Sequence, residues 1–166
     1  MKYLQSGIVP GNAGLIGWGL MALFSALGAS VVLSISADTV LGIVIAVLCI
    51  LFLYVLLNPK FGREERIVED RIMPVTIGMG TGLGFYEGFL GPGTGSMLMV
   101  GYIKGAGFGM DRAAATARIL NFGGNVGSIA IFAIAASVNY QVAIPFAMAT
   151  VSYTHLTLPT MAIVVL

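Results

Sequence analysis

Apolar stretches as long as a membrane-crossing helix follow one another along this chain, separated by short polar breaks. Residues 13–35 carry no charge and are rich in Gly, Ala and Ser, and residues 39–57 are dominated by Val, Ile and Leu before Asn58-Pro59. At about 1.5 Å rise per residue, either run crosses a hydrocarbon core of about 30 Å as one helix. Ser36-Ala37-Asp38 makes a tight turn between them, with Asp38 the predicted N-cap of the second helix. A third apolar segment, residues 72–103, is interrupted by Gly91-Pro92-Gly93. The pattern predicts one crossing built from two half-helices, about 75–90 and 94–104, because the second half is too short to span alone. A re-entrant hairpin is the alternative. A fourth helix is predicted over about 112–138, and Asn139-Tyr140 opens a fifth from about Gln141. The expected fold is an all-α, polytopic transmembrane helical bundle with one Gly/Pro-broken helix and about five spans.

Composition narrows this further. Hydrophobic residues make up 58% of the chain and charged residues 9%, whereas soluble domains carry about 25% charge. Such a chain could not cover its surface in water, and its 23 glycines suit closely packed membrane helices. The net charge of +1 comes without a basic patch, which argues against a nucleic-acid partner and leaves the lipid bilayer as the expected surroundings. Cys49, the single cysteine, lies in an apolar run and is expected to be a small buried side chain. Lys2 precedes an apolar segment too long for a signal peptide and without a cleavage pattern.

Charge is concentrated at residues 60–71, where Lys60, Arg63, Arg66 and Arg71 alternate with Glu64, Glu65, Glu69 and Asp70. Lys and Arg in short loops stay cytoplasmic, so this loop and Lys2 are placed inside, with two spans between them. With the third segment read as one crossing, the Gly105–Asp111 turn, edged by Lys104 and Arg112, is expected outside.

Two stretches put polar chemistry where lipid cannot satisfy it. Gly84-Phe-Tyr-Glu-Gly-Phe-Leu-Gly-Pro-Gly-Thr-Gly-Ser96 holds Glu87 and the helix break. Ionisable groups and freed backbone at membrane depth are tolerated only against protein or a water-filled cavity. A half-helix starting near Thr94 would aim its unpaired amides inward, and Gly93, Thr94, Gly95 and Ser96 form a candidate anion cradle. Glu87 is a candidate proton carrier whose ionised form would repel an anion. In the next helix, Arg118, Asn121 and Asn125 recur at three- and four-residue spacing, with Ser128 following. Arg118 offers a planar set of donors to an oxyanion; alternatively it snorkels to the interface and the asparagines tie helices together. Phe85 and Tyr86 read as packing residues. No phosphate-loop ending and no metal-ligand spacing occur, so no metal, cofactor or enzymatic chemistry is expected.

Residues 84–96, with Ala115-Thr-Ala-Arg-Ile-Leu-Asn-Phe-Gly-Gly-Asn125, resemble the signature of the sulfite exporter TauE/SafE family of membrane permeases. The resemblance implies a bacterial inner-membrane permease of about eight helices in two related halves, moving sulfur oxyanions or sulfonates such as sulfite or sulfoacetate. It places Glu87 where the family carries an acidic residue, usually Asp, and Arg118 where it usually carries Lys; Asn121 and Asn125 match directly. On this comparison residues 1–150 are a partial domain holding roughly the third to seventh helices. The missing half of the same protein, or a second copy, is then the expected partner. Residues 151–160 resemble translated sequencing-adapter sequence, so 151–166 are set apart as a non-native read-through tail, and His155 within it is given no role. The leading function is a secondary transporter of a small anion, with proton coupling as one form of it. A packing or assembly component of the membrane and an anion-selective channel are the alternatives.

Overall fold

A computed structural model of the protein describes residues 11–57 and 67–150. Lys2, most of the charged loop and the 151–166 tail with His155 lie outside the described residues. The described chain is helical: α1 (Gly11–Val32), α2 (Ala37–Leu57), α3 (Glu69–Phe89), α4 (Thr94–Ala106), α5 (Met110–Ile134) and α6 (residues 140–150). By length and composition, Gly11–Val32 and Met110–Ile134 are apolar enough to cross a membrane. The chain separates into two compact units, with the boundary between Ile131 and Phe132. The first holds α1 to α4 and most of α5. In the second, the chain passes through Ala136 at φ 52° before α6 begins.

Two expectations are corrected in and just before α2. The helix starts at Ala37, so Asp38 lies within its first turn, not at the cap. There its negative charge suits the positive helix end. Ser36 precedes the helix and its hydroxyl shares a 2.8 Å hydrogen bond with that of Thr39. Cys49 is exposed, not buried, in company with Leu41, Ile45, Leu48 and Phe52. Such a face is stable against lipid, where an apolar thiol needs no protein cover.

Small residues bring α1 and α3 together. Gly17, Met21, Ser25, Gly28 and Ala29 are buried on α1, and Thr76, Gly80, Gly84 and Gly88 on α3. A Cβ added at Gly84 would stand 3.2 Å from the Met21 carbonyl oxygen, and one at Gly88 would fall on the Ser25 carbonyl. Backbones this close gain dispersion contact that larger side chains would block. The pairing runs Gly17–Thr76, Met21–Gly84 and Ser25–Gly88, so the two helices are parallel. A single returning helix, α2, separates them, which agrees with the parity of the charge pattern.

The broken segment differs from the expected single crossing. A Cβ on Gly101 would collide with Met79, and one on Gly105 with Val75. Thr76 Oγ1 and the Tyr102 hydroxyl share a buried 2.9 Å hydrogen bond, and the Val68 N–H donates to the Ala106 carbonyl at 3.1 Å. Residue numbers rise along α4 as they fall along α3, so α4 returns beside α3 as an antiparallel hairpin. The physical cause is local: Gly91 (φ 84°) and Gly93 (φ 87°) both occupy the left-handed region, which glycine enters without steric cost. Together they reverse the chain where one kink would have let it continue. The Tyr86 hydroxyl closes this turn by donating to the Pro92 carbonyl at 2.6 Å, a more specific task than packing.

The reversal moves the next turn. Gly107 (φ 72°) caps α4, its N–H donating to the Tyr102 carbonyl, and α5 leaves from the end at which α3 began. The Gly105–Asp111 turn therefore lies beside Val68 at the start of α3, not at the opposite end of the segment as expected. Leu120, Gly123 and Gly127 of α5 meet Gly17, Trp18 and Ala22 of α1 in ascending order. Hence α1, α3 and α5 point one way. α5 also stops at Ile134, four residues before the expected end.

Candidate functional site

Glu87 lies in the last turns of α3, on the face turned to α5, and only 7% of its surface is exposed. Its Oε1 accepts a 2.8 Å hydrogen bond from Nδ2 of Asn121. Asn125, one turn further on, donates its Nδ2 to the Asn121 carbonyl at 3.0 Å and to Asn121 Oδ1 at 3.3 Å. These bonds set the Asn121 amide with its oxygen toward Asn125 and its N–H toward the carboxyl group, the assignment the network favours. Gly124 makes room: a Cβ there would fall on the Glu87 carboxyl group.

The height of the carboxyl group follows from its neighbours. Gly123 and Gly127, on either side of Gly124, meet Trp18 and Ala22, in the middle turns of the 22-residue α1. The group is thus held near mid-depth of two helices apolar enough to cross a membrane. Glu87 Oε2 is buried without a hydrogen-bond partner, as are Ser25 Oγ and Thr116 Oγ1. Ser25 sits on the α1 turn packed on Gly88. Thr116 lines a groove of about 470 Å³ between the first turns of α1 and α5, together with Gly14, Trp18 and Leu120. Trp18, which lines this groove, also packs on Gly123, the residue before Gly124.

The remaining residues singled out in the sequence lie at the start of α4 and along α5. Gly93 is the left-handed residue before α4. Thr94 is buried and its hydroxyl donates to the Gly91 carbonyl at 2.8 Å. Gly95 is partly buried and Ser96 exposed in the first turn of α4, where amides lack a carbonyl one turn earlier. Arg118 and Asn125 are exposed, flanking the half-buried Asn121 along one side of α5. The structure therefore joins Glu87, Asn121 and Asn125 in one hydrogen-bonded chain and leaves Arg118 and Ser96 on open faces. Thr116 stood out in the sequence as a polar group in an apolar helix, but Ser25 and Gly124 were not singled out as parts of such a site. A lone hydroxyl or glycine in a Gly/Ala-rich helix gives no signal of its own.

A buried acid at mid-depth beside a Gly-Pro-Gly hairpin, in an all-helical chain with lipid-compatible outer faces, defines a multi-pass membrane protein built around a discontinuous helix. The sulfite exporter TauE/SafE family matches residues 1–160, and the chain belongs to that family. It is 37% identical over 128 residues to a "probable membrane transporter protein ORF9" of Sinorhizobium sp, covering 74% of this chain and 48% of the relative. A "probable membrane transporter protein" of Haemophilus influenzae is 34% identical over 122 residues, covering 72% and 47%. A third relative, "probable membrane transporter protein YfcA" of Escherichia coli K12, is 38% identical over 106 residues, covering 63% and 39%. The chain thus spans half or less of the length of these curated relatives. No solved structure matches it.

Proposed function

We propose that the protein is part of a secondary transporter for small sulfur oxyanions or sulfonates such as sulfite or sulfoacetate. The observation that carries this reading is the Glu87–Asn121 pair, held at mid-depth beside the α3–α4 hairpin. Discontinuous helices whose ends face a midplane substrate are a recurring device of secondary transporters. The family membership and the printed names of the relatives point the same way.

In this reading the anion does not enter the α1–α3–α5 core. It binds on the open side of α5, where Arg118 and Asn125 flank Asn121, and the first-turn amides of Gly95 and Ser96 supply further donors. Arg118 provides the charge, because a guanidinium holds two oxyanion oxygens at once. An exposed arginine and asparagine at such depth require cover from lipid. The additional length found in the relatives, or a second copy, would provide it.

The test is uptake or efflux of isotopically labelled sulfite and sulfoacetate in cells producing the protein in its natural full-length form. Arg118→Ala and Asn121→Leu variants that reach the membrane at normal levels are expected to lose transport by about tenfold or more. That is the equivalent of one hydrogen bond to a charged group. Undiminished transport in both variants would overturn the site.

A further inference from the structure

We infer that Glu87 is a proton-binding site, with Oε2 the atom that takes the proton, and that metal cations such as sodium are excluded from it. The inference rests on the transport reading only for its purpose; the site itself is argued from geometry.

An ionised carboxylate at mid-depth needs a compensating positive charge. Among the described residues none faces Glu87. α5 presents Asn121 and Gly124, and α1 presents the turns around Met21 and Ser25 that pack on Gly84 and Gly88. Arg118 stands one turn before Asn121 and is exposed. The tyrosine hydroxyls of α3 and α4 are engaged elsewhere, Tyr86 with the Pro92 carbonyl and Tyr102 with Thr76, three turns before Glu87. Lys104 and Arg112 belong to the last turn of α4 and the first of α5, at the far end of the hairpin.

The remaining source of charge is a bound ion, and the donor set selects which. A metal cation needs several converging oxygens, typically six or more for hard ions. Here Asn121 turns its N–H group, not its oxygen, to the carboxyl, and its Oδ1 is held by Asn125. Glu87 Oε1 is thereby occupied and Oε2 is left as a single acceptor. One open carboxylate oxygen, with the Asn121 oxygen turned away, suits a proton better than the many-oxygen shell of a metal cation. A lone pair of Oε2 forms an O–H bond to a proton delivered by hydronium, whose own O–H bond breaks to leave water, and the carboxyl becomes neutral. Oε1 still accepts from Asn121 in either state, so protonation needs no rearrangement of the pair. Neutralising Glu87 removes its repulsion of an anion on the adjacent α5 face, and this links proton and anion occupancy.

The test uses dicyclohexylcarbodiimide, an apolar reagent that adds to protonated carboxyl groups from the lipid phase. The purified full-length protein is reconstituted in neutral phospholipid vesicles and labelling of the Glu87 peptide is followed by mass spectrometry. Labelling is expected in acidic buffer and should fall about tenfold per pH unit on the alkaline side, as a single-proton titration requires. It should be equal in sodium, potassium and choline salts and absent in Glu87→Gln. An unlabelled Glu87 in acid, in protein that still elutes as a folded species, would overturn the proposal. Protection by sodium at fixed pH would also overturn it, in favour of a cation site. Labelling as expected without anion transport would uphold the proton site and count against the transport reading alone.

Discussion

Gly124 and Asn121 decide how the Glu87 carboxyl group is held, and each decides it differently. The carboxyl occupies the space a side chain on residue 124 would fill, so Gly124→Ala forces either the acid or the helix to move. We expect a loss of about 1–3 kcal/mol, the usual cost of overpacking a tight contact, read as a lower thermal midpoint in detergent. Asn121 supplies the hydrogen bond. Glu87→Gln keeps an acceptor for it and should unfold close to the unaltered protein. Glu87→Leu leaves the half-buried Asn121 N–H without its acceptor and should cost about 1–3 kcal/mol more; equal stability of the two variants would show that the bond contributes nothing. Glu87 and Asn121 were both legible in the sequence, since an acid and a carboxamide inside apolar helices must find partners. Their mutual contact was legible only as a suggestion. Gly124 was one glycine among 23, and its task appears only once the residue opposite it is known. Arg118 was equally visible, but sequence spacing could not separate its exposed position from the half-buried one of Asn121, three residues away.

Helix direction is settled by what happens at residues 91–93. The break itself was plain from Gly91-Pro92-Gly93, and the start of α4 at Thr94 agrees with the expected half-helix. Whether the chain continues or turns back depends on two φ angles, and glycine permits either outcome. The contacts between α3 and α4 resolve it, and they can be tested directly. A Cβ built on Gly105 stands 3.7 Å from that of Val75, within the range a disulfide spans. In a Cys49→Ser background, Val75→Cys with Gly105→Cys should therefore form an intramolecular disulfide readily on mild oxidation. It would be seen as a mobility change reversed by reductant. In an uninterrupted crossing, the thirty residues between these positions would hold them about 45 Å apart at helical rise. Failure of the pair to cross-link, with protein still correctly inserted, would rule out the hairpin. The close packing of α1 on α3 was foreshadowed by glycine content but not by register. Many small residues share the α1 sequence, and only contact with Gly84 and Gly88 shows which of them face α3.

At the scale of the α1–α5 unit, the charge pattern conflicts with a single crossing and agrees with the hairpin. With the third segment as one crossing, Lys104 and Arg112 fall on the outer side, opposite Arg71 and the loop before it. Short loops seldom place Lys and Arg there. The returning α4 removes the conflict. Val68 bonds Ala106, so Arg71, Lys104 and Arg112 gather at one end of the α3–α4–α5 unit. The orientation rule then assigns that entire end to the cytoplasm, and α1, α3 and α5 all run outward from it. Glu69 and Asp111 are exposed at this end, which makes them suitable reporters. In a Cys49→Ser background, single Glu69→Cys and Asp111→Cys variants should both react with a membrane-impermeant maleimide in inside-out vesicles, and neither should react in intact cells whose outer membrane has been permeabilised. A single crossing from residue 72 to residue 103 demands opposite outcomes for the two positions. Reaction of Asp111→Cys from the outside alone would therefore return α4 to the far half of one crossing. The Gly107 turn would move across the membrane with it, and the α3–α4 pairing that positions Thr94 and its first-turn amides beside α3 would be lost.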